Sequence, residues 1–278
     1  MQTTLPAISI LGAGSMGGAI LSGLLQPGVT VDGGIRVTNR TEEKAALLRS
    51  DAVLSYATQQ DPAANLAAVA GARLVIVAVK PQVVPELLRE IGPALDPGTV
   101  VVSVAVGVTI ETFEAALPSS VAVLRAMPNT PAIVGRGVTG LSAGTRSSAE
   151  DLALASALFA TVGEVVVVPE SKIDALSTIS GSGPAYVFYL IEELTRTAVD
   201  LGFSASEAAT MVNGTFLGAA ELLAASGRSP QELRRQVTSP KGTTERAIAE
   251  LEQGGVKHLF DRATSAALAR ARELAAGA

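Results

Sequence analysis

Residues 5–18 read Leu-Pro-Ala-Ile-Ser-Ile-Leu-Gly-Ala-Gly-Ser-Met-Gly-Gly. The run Leu5 to Leu11 has the length and apolarity of a buried strand, and Ser15 to Leu25 has a helical pattern. Between them stands Gly12-Ala13-Gly14-Ser15-Met16-Gly17, a G-x-G-x-x-G. Each glycine has its own task. Gly12 makes the tight turn, Gly14 lets the backbone approach a pyrophosphate, and Gly17 allows the helix to pack closely on the strand. A helix starting at Ser15 and Met16 offers free N–H groups and the positive end of its dipole to phosphate. The glycine pattern alone is weak evidence. After a strand and at the head of a helix it reads as a dinucleotide site, against the plainer reading of a structural turn.

Outward from this unit, strands and helices alternate. Gly34–Thr38, Arg73–Val79, Thr99–Val104 and Val121–Arg125 read as strands; helices fall near 41–50, 62–69, 83–91 and 110–117. The run Arg-Leu-Val-Ile-Val-Ala-Val at 73–79 suits a strand buried on both faces, and the alternation predicts an α/β domain whose parallel sheet is covered on both sides. Val138–Ala143 and Glu164–Val168 extend the sheet, with a helix over 149–159 between them. After Pro169 no run reads as a strand. Helical patterns cover 172–179, 185–201, 205–225, 230–236, 243–253 and 256–276. The expectation is therefore an N-terminal α/β domain over 1–168 and an all-α domain over 169–278. In the helix at 205–225, Gly214 and Gly218 stand four apart, which suits either tight packing within the domain or a dimer core.

Composition narrows the chemistry. The 278 residues hold no cysteine and a single histidine, His258, which excludes disulfides, thiolate nucleophiles and clustered His or Cys metal ligands. No metal is expected. The net charge is −5 with no basic run, which argues against a nucleic-acid partner. The first 31 residues carry no charged side chain, yet they lack the basic start of a signal peptide, and Pro6 and several glycines break any span. A cytoplasmic protein away from membranes is the expectation. Charged residues are only 17%, which points to surface covered in a homo-oligomer.

The end of the second strand selects the cofactor. NAD-binding proteins place a carboxylate there for the ribose 2′-hydroxyl. Here the sequence is Thr38-Asn39-Arg40, and Arg40 is a fork-shaped, permanently charged donor suited to a 2′-phosphate, so NADPH is favoured over NADH. Val79-Lys80-Pro81-Gln82 follows a strand, so its loop faces the ligand crevice, and Lys80 reads either as a contact to cofactor or substrate or as a plain surface lysine. Three further segments stand out: Arg125-Ala-Met-Pro-Asn-Thr-Pro131, Ser180-Gly-Ser-Gly-Pro-Ala185, which interrupts a helical region, and Val237-Thr-Ser-Pro-Lys-Gly-Thr-Thr-Glu245. The last reads either as a helix cap, through Thr243 or Thr244, or as a carboxylate-catching helix start.

Taken together, GAGSMG (12–17), NR (39–40), AVKPQ (78–82), RAMPNTPA (125–132), DALSTISGSGPAYVF (174–188) and VTSPKGTTERAI (237–248) resemble the pyrroline-5-carboxylate reductase family, in the family's order and across nearly the whole chain. The resemblance implies a Rossmann-type domain followed by a helical domain that dimerises with its twin. It implies NAD(P)H-dependent reduction of 1-pyrroline-5-carboxylate to L-proline. By the same resemblance Gly12, Gly14, Ser15, Met16, Gly17, Asn39, Arg40, Asn65, Lys80 and Pro81 hold the cofactor, and Ser239, Gly242, Thr243 and Thr244 hold the substrate. Thr244 faces the ring nitrogen and is the candidate catalytic residue. Two departures stand out. Lys241 replaces a glycine of the family's Ser-Pro-Gly-Gly, which strains it if the position needs positive φ, and Val106 stands before Gly107 where the family carries a small residue.

Reduction of an imine asks little acid–base chemistry of a protein beyond positioning and exclusion of water, which suits a chain with no Cys and no clustered His. A β-hydroxyacid dehydrogenase shares the two-domain plan but needs a base, a Lys in G-x-G-x-x-x-K. Here Gly181 and Gly183 are followed at that spacing by Val187. A general imine reductase has no use for a carboxylate loop, and a non-catalytic NADP sensor has no use for segments 125–131 and 237–244.

Overall fold

The computed structural model describes residues 2–275. Ala276, the last position of the expected final helix, lies outside them. The first strand is split by Pro6, which has no N–H to give a ladder, into β1 (Thr3–Leu5) and β2 (Ile8–Leu11). There follow α1 (Ser15–Leu24), β3 (Val29–Val31), β4 (Ile35–Asn39), α2 (Glu42–Ala46), β5 (Val53–Ala57), α3 (Ala64–Val69), β6 (Leu74–Val77), α4 (Val84–Ile91), β7 (Val100–Ser103), α5 (Ile110–Ala116), β8 (Ala122–Met127), β9 (Gly137–Ala143), α6 (Ala149–Ala160) and β10 (Gly163–Val167). β1 and β3 form a small parallel pair; the other strands form one sheet in the order β10-β9-β8-β7-β6-β2-β4-β5.

β3 and β5 were not legible as strands. β5 is an edge strand, with Leu54 exposed between buried Val53 and Ser55, so it lacks the continuous apolar run of its neighbours. The expected all-parallel sheet is also corrected. β9 runs antiparallel to β8, and β10 runs parallel to β9. The link between β8 and β9 is residues 128–136, too short for the crossover that a parallel pair needs.

The sheet has two apolar faces. Ile8, Ile10, Leu74, Ile76, Val100 and Val102 join α1 and α6 in one core, while Leu11, Val75, Val77, Val101 and Val123 join α3, α4 and α5 in the other. Each side chain so buried contributes about 1.5–3 kcal/mol.

The helical remainder comprises α7 (Ile173–Leu176), a π-helical turn over Ser177–Gly181, α8 (Gly183–Asp200), α9 (Ala205–Ser226), α10 (Pro230–Gln236), α11 (Thr243–Gln253) and α12 (Val256–Ala275). The chain divides into two compact units, Met1–Ser182 with Ala267–Ala278, and Gly183–Ala266. The sequence reading put the change of texture at Pro169. By contact, segment 170–182 packs on the sheet: Ile173 is fully buried, Leu176 lies where a Cβ on Gly140 of β9 would stand, and Glu170 and Asp174 pair with Arg125 of β8. The second unit has almost no core of its own: Ala198, Ala208 and Val212 are its buried apolar residues.

Candidate functional site

The strand order reverses between β2 and β6, so the loop after β2 opens into the crevice at a topological switch point. The glycines of that loop do what their positions require. Gly12 has φ +89, and a Cβ there would lie 2.9 Å from Val79 Cγ1 and 3.0 Å from the Ala78 oxygen. A Cβ on Gly17 would lie 2.6 Å from the Gly12 oxygen, so the helix packs this closely only without one. A Cβ on Gly14 would meet nothing within 4 Å, which is the open approach a pyrophosphate needs. Gly12 and Ala13 donate to the Thr38 oxygen at 3.1 and 2.9 Å, tying the loop to the end of β4. Gly14 caps α1 without a side-chain bond, and the first N–H of the helix to find its acceptor is that of Gly18, on the Gly14 oxygen at 2.7 Å. The N–H groups of Ser15, Met16 and Gly17 are left for a ligand.

Other sequence-selected residues border the same edge of the sheet. Asn39 ends β4, buried, with its side-chain nitrogen lacking any partner. Arg40 follows it, exposed, and its guanidinium has no partner among the described residues. Lys80 and Pro81 open a short 3₁₀ turn after β6, Lys80 exposed and Pro81 half-buried. Asn65 is the second residue of α3, half-buried, and its amide donates to Glu90 Oε2 of α4 at 3.0 Å. Val106 is exposed, with Gly107 after it at φ +77.

Segments 125–131 and 177–182 meet. Ser180–Ala185 interrupts the α-helical region as expected: α7 ends at Leu176 in a π turn closed by Ser182 N–H on the Ser177 oxygen at 2.9 Å, and α8 starts at Gly183. Pro184 explains the turn, since it has no N–H to give the Ser180 oxygen four residues back. Asn129 supplies that bond instead, at 2.9 Å, while its own oxygen accepts from Val138 N–H at 2.8 Å. Arg125, with its side chain only 6% exposed, pairs with Asp174 at 2.7 Å and Glu170 at 3.3 Å. Glu170 also accepts from the Ile110 N–H that begins α5, at 2.8 Å. These partners were not foreseen. The spacing of Pro184 from Ser180 was the readable signal, whereas the carboxylates facing Arg125 are set by tertiary packing.

The loop 237–244 lies in the second unit. Ser239 to Gly242 form a turn, closed by Gly242 N–H on the Ser239 oxygen at 3.0 Å. Lys241 is the single non-glycine residue with positive φ among those described, at 62°, so the strain conditional on that backbone is present. Its N–H donates to Glu245 Oε2 at 2.8 Å. The cap reading of Thr243 and Thr244 is corrected: Gly242 is the N-cap of α11, with no side-chain cap bond, because the turn places both threonines inside the first helical turn. Gly242's own N–H is spent on the turn. Those of Thr243, Thr244 and Glu245 remain free, as do the hydroxyls of Ser239, Thr243 and Thr244 among the described residues. Ser239 and Thr243 are exposed and Thr244 half-buried. His258 is exposed near the start of α12. Among the described residues no group of three or more His, Asp or Glu could hold a metal ion.

The chain is similar to known proteins along nearly its whole length. Residues 170–274 match the family model for pyrroline-5-carboxylate reductase dimerisation, and residues 7–107 match that for NADP oxidoreductase, coenzyme F420-dependent. The chain is 40% identical over 270 residues to a pyrroline-5-carboxylate reductase of Corynebacterium melassecola, covering 96% of this chain and 98% of that one. It is 37% identical over 271 residues to one of Pseudomonas aeruginosa, covering 97% of each. The solved structure of a pyrroline-5-carboxylate reductase from Coxiella burnetii matches at TM-score 0.88 and 37% identity, over 96% of this chain and 97% of that one. With a glycine loop at the switch point of the sheet, an uncapped α11 behind a hydroxyl-rich turn, and near-full-length likeness at this level, the chain belongs to the pyrroline-5-carboxylate reductase family.

Proposed function

We propose that the chain reduces 1-pyrroline-5-carboxylate to L-proline, with NADPH as its preferred reductant. The observation that carries the reading is the start of α11: free N–H groups and the unpartnered hydroxyls of Ser239, Thr243 and Thr244 gather several donors at one helix start, of the kind that takes a carboxylate. In the sheet unit the residues fit a dinucleotide. Gly14 leaves open the space a phosphate takes, the N–H groups of Ser15, Met16 and Gly17 point at it unpaired, and the buried Asn39 nitrogen awaits an acceptor. Lys80 and Pro81 border the same crevice, and Asn65 keeps a carbonyl oxygen and one N–H after its bond to Glu90. The cofactor, when bound, supplies the hydride.

The chain's own residues then have modest tasks. The α11 start and Ser239 fix the carboxylate, and Thr244 donates a hydrogen bond to the ring nitrogen. A threonine is a poor acid, so orientation comes first and proton delivery to that nitrogen second. NADPH is favoured over NADH because no carboxylate ends β4 and Arg40 presents an unengaged guanidinium there.

We also assign the exposed apolar faces of α8 and α9 to a second copy of the chain. Phe188, Tyr189, Leu190, Leu194, Leu217 and Leu222 are each 45% exposed or more, far more apolar surface than a lone helical unit leaves to water. α9 is the one described helix long and apolar enough to cross a membrane. Its capping box of Ser204 and Glu207, and Glu221 further along, suit a water-soluble interface better than lipid. With no cysteine in the chain, the cytoplasm is the compartment we assign.

Steady-state kinetics with both substrates varied test the loop. Ser239→Ala raises KM for the imine, because that bond is equal in ground and transition states, and Thr244→Ala lowers kcat more than it moves KM. KM for NADPH stays near wild type in both. Wild-type parameters in both variants contradict the assignment.

A further inference from the structure

The turn at 239–242 holds a lysine at φ 62, where a side chain costs conformational energy that glycine does not. Strain of this kind persists where a side chain is useful. The turn also holds a resident anion. Glu245 Oε2 accepts the Lys241 N–H at 2.8 Å, which anchors a carboxylate on the same stretch of backbone that offers its donors to a substrate carboxylate. An incoming anion therefore meets a like charge at the mouth of its own cradle. The Lys241 ammonium is exposed and has no ion-pair or hydrogen-bond partner among the described residues. It is the cation on this turn, in a chain of net charge −5. We infer that Lys241 is a specificity-determining residue: its ammonium offsets Glu245 and so selects cyclic imines that carry a carboxylate over those that do not. This rests on the reading of 239–244 as the carboxylate loop.

An exposed charge at this range acts modestly and is screened by salt. Lys241→Gln keeps a side chain at the strained φ and removes the charge, Lys241→Arg keeps the charge, and Lys241→Gly removes the charge together with the strain. KM and kcat are measured for 1-pyrroline-5-carboxylate and for 1-pyrroline, which lacks the carboxylate, at about 0.05 M and about 0.5 M salt. Lys241→Gln and Lys241→Gly should raise KM for the carboxylated imine by about two- to five-fold at low salt, with most of the difference gone at high salt. KM for 1-pyrroline should be unchanged, and Lys241→Arg should match wild type. An unchanged KM in Lys241→Gln, an equal rise for both imines, or loss in Lys241→Arg as large as in Lys241→Gln overturns the inference. Ser239→Ala, assayed beside them, separates the two claims. If wild type shows no preference for the carboxylated imine and Ser239→Ala changes nothing, the loop reading itself fails, and this inference with it. If Ser239→Ala erodes the preference and Lys241→Gln does not, the inference alone fails.

Discussion

Arg40 and Asn129 illustrate two kinds of residue-scale legibility. The role proposed for Arg40 rests on a local pattern, a strand end that lacks a carboxylate, and its side chain is left unengaged among the described residues. Arg40→Ala should weaken NADPH far more than NADH. Loss of a charge-assisted pair costs about 1.5–3 kcal/mol, or roughly 10- to 150-fold in affinity. Direct binding titrations of both cofactors check it; equal losses show that Arg40 does not read the 2′-phosphate. Asn129 stood inside a conspicuous motif with no task attached. Its task depends on Ser180 and Val138, distant in sequence, so no local pattern could announce it. Lys241 falls between the two. The sequence showed a lysine where a glycine was expected, but only the backbone φ of 62° shows that the position needs what glycine provides.

At the scale of elements, periodicity located most strands and helices, and geometry decided what it left open. β5 escaped notice because its outward face is wet, and the reversal at β9 was written in the shortness of 128–136 rather than in any hydrophobic pattern. The π turn at 177–181 follows from Pro184, which leaves the Ser180 oxygen without a helical donor, and from Asn129, which replaces it. Removing Asn129 leaves the carbonyl of half-buried Ser180 and the N–H of half-buried Val138 without their partner together. Asn129→Ala should therefore destabilise by about 2–4 kcal/mol in denaturant unfolding. Pro184→Ala restores an N–H that can reach the Ser180 oxygen, so the same Asn129→Ala change should cost less in that background, a non-additive pair. Strict additivity would mean that the proline and the asparagine act independently.

For the whole molecule the contrast between units is decisive. The sheet unit buries two full cores, whereas the unit Gly183–Ala266 buries Ala198, Ala208 and Val212 and leaves Phe188, Tyr189 and Leu217 more than 60% exposed. A Cβ on Gly214 or Gly218 would meet nothing within 4 Å, so tight packing within the unit does not account for these small residues, which is the opening the proposed second copy would fill. Sedimentation at micromolar concentration should show a dimer or a larger assembly of dimers, and Leu217→Glu should shift it toward monomer with loss of thermal stability. A stable, active wild-type monomer would sink this assignment. The low charge content of the sequence pointed toward covered surface without naming helices; the proposal for α8 and α9 rests on their exposed apolar faces. The central claim is turnover, and it has a direct test: the purified full-length chain is mixed with NADPH and 1-pyrroline-5-carboxylate, and both cofactor oxidation and product are measured. The account predicts one L-proline formed for each NADPH consumed, with slower consumption when NADH replaces it at equal low concentration. Absence of proline while substrate and cofactor remain intact would contradict it.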